Sequence, residues 1–484
     1  MGSLPPGPAD LVPGGGGQLR QLHGATVGAG ALSAFDIDQA IAFAWNGPPP
    51  GSVAAGKARL LLVDSLGCML AGLGHQRPRD FGAALAATMP GPIRVAGVAA
   101  GLSQAGAAAL LAAAMCWDEA NEGLARAHGR PALAVAPLCI AALAEGRATI
   151  GEALAAFVLG YEVAGRAGEA WRIRPGMHVD GSWHSLGAAA AAARLAGGDP
   201  AAVARAVHIA GCQVPFSLYA PIAAGMDGRN TYPGHAVLLG TLAAAGAIVG
   251  MDAPAAGFAE ARRLALGLDQ DAMLTPPDRW LLEDAYIKPF AGVRHAHYAA
   301  AAAIALRAAL GLRLAEVRSV TLATYAEALR YAANRAPVSA IPAQFSLSWA
   351  MSAALVQGDL GPAAYADTSL ADPVLRGIEA MVTLIEDPGL TESGDRGAGL
   401  AVTLQDGTVL EARADQVPGD PALPMSVDAV CAKFLRFATP VLGEAQARAV
   451  LVMLLDGAPA DGLAGLLLSP VESVPTEPGQ ETMR

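Results

Sequence analysis

The chain has 484 residues, 53% of them hydrophobic, only 15% charged, and a formal net charge of −11. That length fills about two or three domains around a large core. The acidic balance argues against nucleic acid or an anionic membrane surface as a partner. Five widely spaced cysteines (Cys68, Cys116, Cys139, Cys212 and Cys431), odd in number and without a CxxC, read as buried thiols in a reducing cytoplasm, not as disulfides or metal ligands.

Residues 1–34 are rich in glycine and proline and lack the basic and apolar regions of a signal peptide, so they read as a disordered extension. From 35 to 283 the pattern is repeatedly helical. "AAGKARLLLVDSLGCMLAGL", "SQAGAAALLAAAMCWDEA" and "TIGEALAAFVLGYEVAGRAGEAW" place apolar residues three and four apart between glycine and proline breaks. Alanine where leucine could stand predicts close helix axes and some fully buried helices. The uncharged stretch 236–251 is too short to span a bilayer and reads as one of them. Residues 284–420 change texture: "VRSVTLATY" and "AVTLQDGTVLEARA" alternate as strands, the second with an Asp406-Gly407 hairpin turn, beside helices at 295–310 and 346–357. This predicts a smaller α+β domain. Helical patterning returns at 421–470 and is expected to pack back on the first domain, which would make that domain discontinuous; 471–484 reads as a disordered tail. The fold class is therefore mainly α, a large helical domain with a smaller α+β lid.

No Walker A loop, strand-borne GxGxxG, HExxH, GxSxG or kinase signature occurs, so the common nucleotide, zinc and serine-hydrolase chemistries lack their mechanical parts. Four polar clusters interrupt the apolar sequence. They are "CWDEANEGLARAHGRP" (Asp118, Glu119, Asn121, Glu122, His128), "GMHVDGSWHSLG" (His178, Asp180, His184), "GMDGRNTYPGH" (Asp227, Arg229, Tyr232, His235) and "YIKPFAGVRHAH" (Lys288, Arg294, His295, His297). Carboxylates and imidazoles supply proton donors and acceptors, while Lys and Arg stabilise negative charge that builds beside a carboxylate or carbonyl. Lysine is scarce (Lys57, Lys288, Lys433), which draws attention to the one in "IKPF".

In their order and spacing the four clusters resemble the MmgE/PrpD family of 2-methylcitrate dehydratase, cis-aconitate decarboxylase and iminodisuccinate epimerase. "DSLGCMLAG" is similar to the family's first helix, "WDEANEGLARAHGRP" to its Asp-rich segment, "GMHVDGSWHSLGAAAAAARL" to its Gly-Phe-His-Pro-Thr-Gly-Thr segment, "IKPFAGVRHAH" to its Ile-Lys-Pro-Tyr segment, and "KFLRFATPVLGEAQA" to its C-terminal helix. The resemblance implies a homodimer with an active site between the domains that uses neither metal nor organic cofactor. It places Asp118, His128, His178 and Lys288 at catalytic positions. Departures fall at Glu122 (commonly Thr), Arg229 (Lys), Tyr232 (His), Trp349 (an aromatic hydroxyl), Asp180 (Thr) and His184 (a small residue). With Arg294 and His297 these are the expected substrate-binding residues.

A cofactor-independent lyase or isomerase follows. It would move a proton next to a carboxylate or carbonyl of a small molecule, by dehydration, isomerisation or cyclisation, as a diverged tailoring enzyme on a substrate larger, flatter or more apolar than citrate. The alternatives are 2-methylcitrate dehydratase or cis-aconitate decarboxylase proper, and a non-catalytic binding or scaffold protein that keeps the fold. For the second cluster, the competing arrangement has His178 alone in the cleft, Asp180 capping a helix and His184 packed in the core.

Overall fold

A computed structural model describes residues 33–34, 36–268 and 273–457; the extension expected at the N-terminus falls almost entirely outside them, and the C-terminal tail wholly so. Helices start where the sequence supplies caps. Ser52 Oγ accepts from Ala55 N ahead of Val53–Leu73, Ser103 Oγ from Gly106 N ahead of Gln104–Trp117, and Thr149 with Glu152 forms a reciprocal capping box ahead of Ile150–Ala170. Asp199 caps Pro200–Gly211, with proline at its first position.

The expected mainly α architecture is present. Helix His184–Leu195 lies between Ile150–Ala170 and Tyr232–Ile248, and Val53–Leu73 packs on Gln104–Trp117. Small residues set these distances. A Cβ on Gly187 would collide with the Gly160 carbonyl and the Ala164 methyl, so the two helices cross at near-backbone contact. Tyr232–Ile248 is less buried than its composition predicts: Leu242 and Ile248, with Val249 and Met251 just beyond, lie exposed on one side. Among the described residues no helix is long and apolar enough to cross a membrane. All five cysteines are free, but Cys212 is exposed and Cys431 half-buried, which corrects the expectation of uniform burial.

The smaller part is built on a four-stranded sheet in the order Val409–Ala414, Ala398–Leu404, Val317–Thr324, Val382–Glu386. The first three strands are antiparallel and the last pair is parallel. Asp406-Gly407 turns the predicted hairpin: Gly407 adopts φ 86°, open to glycine at no steric cost, and Asp406 Oδ1 accepts from Thr408 N. Helix Ala296–Leu310 covers the sheet and packs against Leu347–Gln357. Helix Val427–Leu442 then returns to lie along Val53–Leu73. There the buried Lys433 donates to Asp64 Oδ1 at 2.5 Å and to the Ala120 carbonyl at 2.7 Å, joining the last helical segment, the first long helix and the loop that carries the first polar cluster.

Candidate active site

The loop 118–131 leaves the helix Gln104–Trp117 through Glu119, whose φ of 52° is unusual for a residue with a side chain. Lys288 holds this conformation: its ammonium donates to the Glu119 carbonyl (2.7 Å), to Glu119 Oε2 (3.3 Å) and to the Gly292 carbonyl (3.3 Å), which uses all three of its protons. The turned-in Glu119 carboxylate also accepts from Arg130 Nη1 at 2.9 Å and from Arg229 Nη2. Arg130 Nη2 donates to Asp180 Oδ2, and Arg229 Nη2 lies 3.7 Å from the same oxygen. Cys116 Sγ accepts from both guanidinium groups, at 3.4 and 3.1 Å.

Three cations thus surround two carboxylates in the interior. Burial alone would raise the carboxyl pKa values, but Arg130, Arg229 and Lys288 overcome it for Glu119, and Arg130, His178 and Arg229 for Asp180, so both are held well below the usual range. Burial lowers Lys288 to about 8 against the pull of Glu119, leaving it mostly charged at neutral pH. The centre carries a net charge near +1, and its polar capacity is not exhausted. Arg229 Nε and Asp180 Oδ1 are buried without a hydrogen-bond partner among the described residues. Cys116 Sγ and one oxygen each of Glu119 and Asp180 lie within 4.8 Å of one another. A metal ion there would have to enter against the three cations already bound to these groups.

His178 stands beside this centre on the two-residue strand Met177–His178, paired with Ser217–Leu218. Its Nδ1 accepts the Asp180 backbone N–H at 3.1 Å and lies 3.8 Å from Asp180 Oδ2. Burial depresses the imidazole to about 4, so it is neutral at pH 7, and the engaged Nδ1 puts its proton on Nε2. Tyr219 and Tyr232 flank the ring, each with its centroid 6.2 Å away. Tyr219 in turn meets Phe345 and Tyr331 edge-on, at 6.4 and 6.1 Å, and Phe345 faces the Arg229 guanidinium at 5.6 Å. These rings join the two parts of the molecule across the site.

The remaining expected residues separate. Asp118 makes no ion pair with the ion centre among the described residues and accepts from His75 Nε2 at 2.9 Å; burial of the half-exposed His75 opposes protonation, but the Asp118 hydrogen bond wins and raises its pKa. Asp180 caps no helix. His184 is fully buried, stacked 3.8 Å from the Trp183 ring, and although the Arg130 backbone is close, neither ring nitrogen makes a well-shaped hydrogen bond among the described residues. Glu122 lies behind the loop, accepting from Ala132 N and the Tyr161 hydroxyl, both at 3.0 Å. His128, itself at φ 51°, is exposed, and its ring has no hydrogen-bond partner among the described residues. Arg294 pairs with Asp420 and with His297 Nδ1, while His297 Nε2 approaches the Gly292 carbonyl that also receives Lys288. Trp349 is fully buried, donates to the Ala364 carbonyl and faces Arg376, out of contact with the ion centre. Three groups that matter were not singled out from sequence. Arg130 sat inside the quoted first cluster and Tyr219 just before the third, whereas nothing in the pattern around His75 marks it.

Fold and site together define a mainly helical protein with a smaller α+β part, carrying a buried, net-positive polar centre beside a neutral imidazole. The model of the MmgE/PrpD N-terminal domain matches residues 22–273 and that of the MmgE/PrpD C-terminal domain matches residues 290–456. The chain belongs to the MmgE/PrpD family, which includes dehydratase-type lyases and isomerases. A search of the curated proteins gives no match.

Proposed function

We propose that the protein is a lyase or isomerase that moves a proton next to a carboxylate of a small anionic substrate, one other than 2-methylcitrate. The observation that carries this reading is the surplus positive charge at the Glu119–Asp180–Arg130–Arg229–Lys288 centre, with Arg229 Nε unpartnered, beside His178. An arriving carboxylate would neutralise the surplus and accept from Arg229. His178, neutral with its proton on Nε2, suits donation to the oxygen on which enolate-like charge develops; its lone pair on Nδ1 is already occupied. His75 has the complementary form. With its Nε2–H donating to Asp118, its Nδ1 lone pair is available, and the carboxylate orients the ring and stabilises its protonated form. Lys288 acts by fixing the Glu119 backbone and charge, and no metal or organic cofactor takes part.

The presence of Arg229 and Tyr232 at the expected Lys and His positions, and the ring-lined surroundings of His178, support a substrate larger or more apolar than citrate. The test is solvent-deuterium incorporation, followed by proton NMR, into a panel of di- and tricarboxylates incubated with the purified protein in D2O. Exchange at a carbon next to a carboxylate is expected, and His178→Gln should slow it roughly 100-fold, the scale of losing one positioned proton donor. Absence of exchange across the panel, or full exchange by His178→Gln, would overturn the assignment.

A further inference from the structure

A cavity of about 450 Å³ opens beside His178, lined by Gly181, Ser217, Leu218, Ala224, Met226 and Tyr232 among others. We infer that it is a substrate subsite that receives an uncharged, apolar arm of the molecule whose carboxylate is held at the ion centre. The inference rests on the anionic-substrate reading above and adds to it the chemical class of the rest of the substrate.

The cavity is built from the same backbone as the site. Ser217 is the residue paired with His178 across the short two-stranded ladder, and Tyr232 presents one ring both to His178 and to the cavity. Gly181 directly follows Asp180 at φ 84°. A Cβ there would meet the Tyr232 carbonyl at 2.7 Å and Ser217 Oγ at 3.1 Å, so glycine is what lets the chain pass from the buried carboxylate to the cavity wall. The Tyr232 hydroxyl is committed to the Leu218 carbonyl at 3.0 Å, which fixes the wall. In contrast to the ion centre, the lining, among the described residues, holds one titratable side chain besides Tyr232, the exposed His235. No fixed charge is available for a second carboxylate, and the volume lies within the range of small-molecule sites. Leu218 and Met226 are 51% and 62% exposed, so apolar surface at the rim stays in water until something covers it.

Succinate and 2-butylsuccinate serve as probes, their affinities read by isothermal calorimetry on the full-length protein. The butyl compound should bind at least about 10-fold more tightly, the gain from burying roughly two methylenes. Ala224→Trp, which fills the cavity from an exposed helix end, should bring the ratio of the two affinities to within about 3-fold, and Met226→Ala should reduce it in the same direction. If succinate binds and the butyl group adds nothing, or its gain survives in Ala224→Trp, the subsite is wrong and the anion reading stands. If neither probe binds, both fail. If light scattering shows that Ala224→Trp dissociates an oligomer, the cavity is an interface between copies of this chain and the inference is overturned.

Discussion

Glu119→Gln isolates the charge that organises the site. The substitution keeps shape and volume, so no cavity forms, but one side chain that accepts from Arg130, Arg229 and Lys288 now turns an amide N–H₂ towards cations. The centre goes from three cations on two carboxylates to three on one. Removing one partner of a buried pair costs about 3–5 kcal/mol because the survivors stay desolvated. At about 2.1 cal/mol/K of unfolding entropy per residue, 484 residues give roughly 1 kcal/mol/K, so the melting temperature should fall by about 3–5 °C. The pH dependence has a definite sign. Lys288 already sits at about 8, below its unfolded value, with Glu119 as the group that raises it. Without Glu119 it loses its proton more readily, so the deficit is largest near pH 6, where wild-type Lys288 is charged, and shrinks as pH rises through about 8. Scanning calorimetry of both proteins at pH 6 and pH 9 measures it. A variant that melts within about 1 °C of wild type at pH 6, or a deficit that grows with pH, would refute the ionised network.

Glu122→Gln should change the pH dependence in another window. Burial pushes the Glu122 carboxyl up to about 8, so the folded chain holds a proton that the unfolded chain releases from about pH 4.3 upward; wild-type stability should fall between those values, at about 1.4 kcal/mol per pKa unit, and the variant's should not, by denaturant titration. Lys433→Met strands Asp64 in the core and should cost about 3–5 kcal/mol, with Asp64→Asn added to it recovering half or more in the same measurement. Light scattering at micromolar concentration should give about twice 48.7 kDa, since Leu242, Ile248, Val249 and Met251 leave an apolar face uncovered; a monomer mass would rule the dimer out.

The architecture was legible because its signals are local. Three-and-four apolar spacing between glycine and proline breaks, strand alternation and the Asp406-Gly407 turn each act within a few residues, and they yielded the helical part, the sheet and the hairpin. Four polar interruptions in an apolar chain also marked the segments that meet at the site, since buried polar groups must find partners. Which residue of each segment faces inward was decided by tertiary structure. Glu119, rather than its neighbours Asp118 and Glu122, enters the ion centre because a left-handed backbone turn, held by Lys288 from 169 positions away, points it there. The same loop geometry sends Asp118 to His75, Glu122 to Tyr161 and His128 into solvent. Helical periodicity resolves faces over several turns, but in a loop one φ value redirects a side chain entirely, and the contacts that hold that value lie far away in sequence.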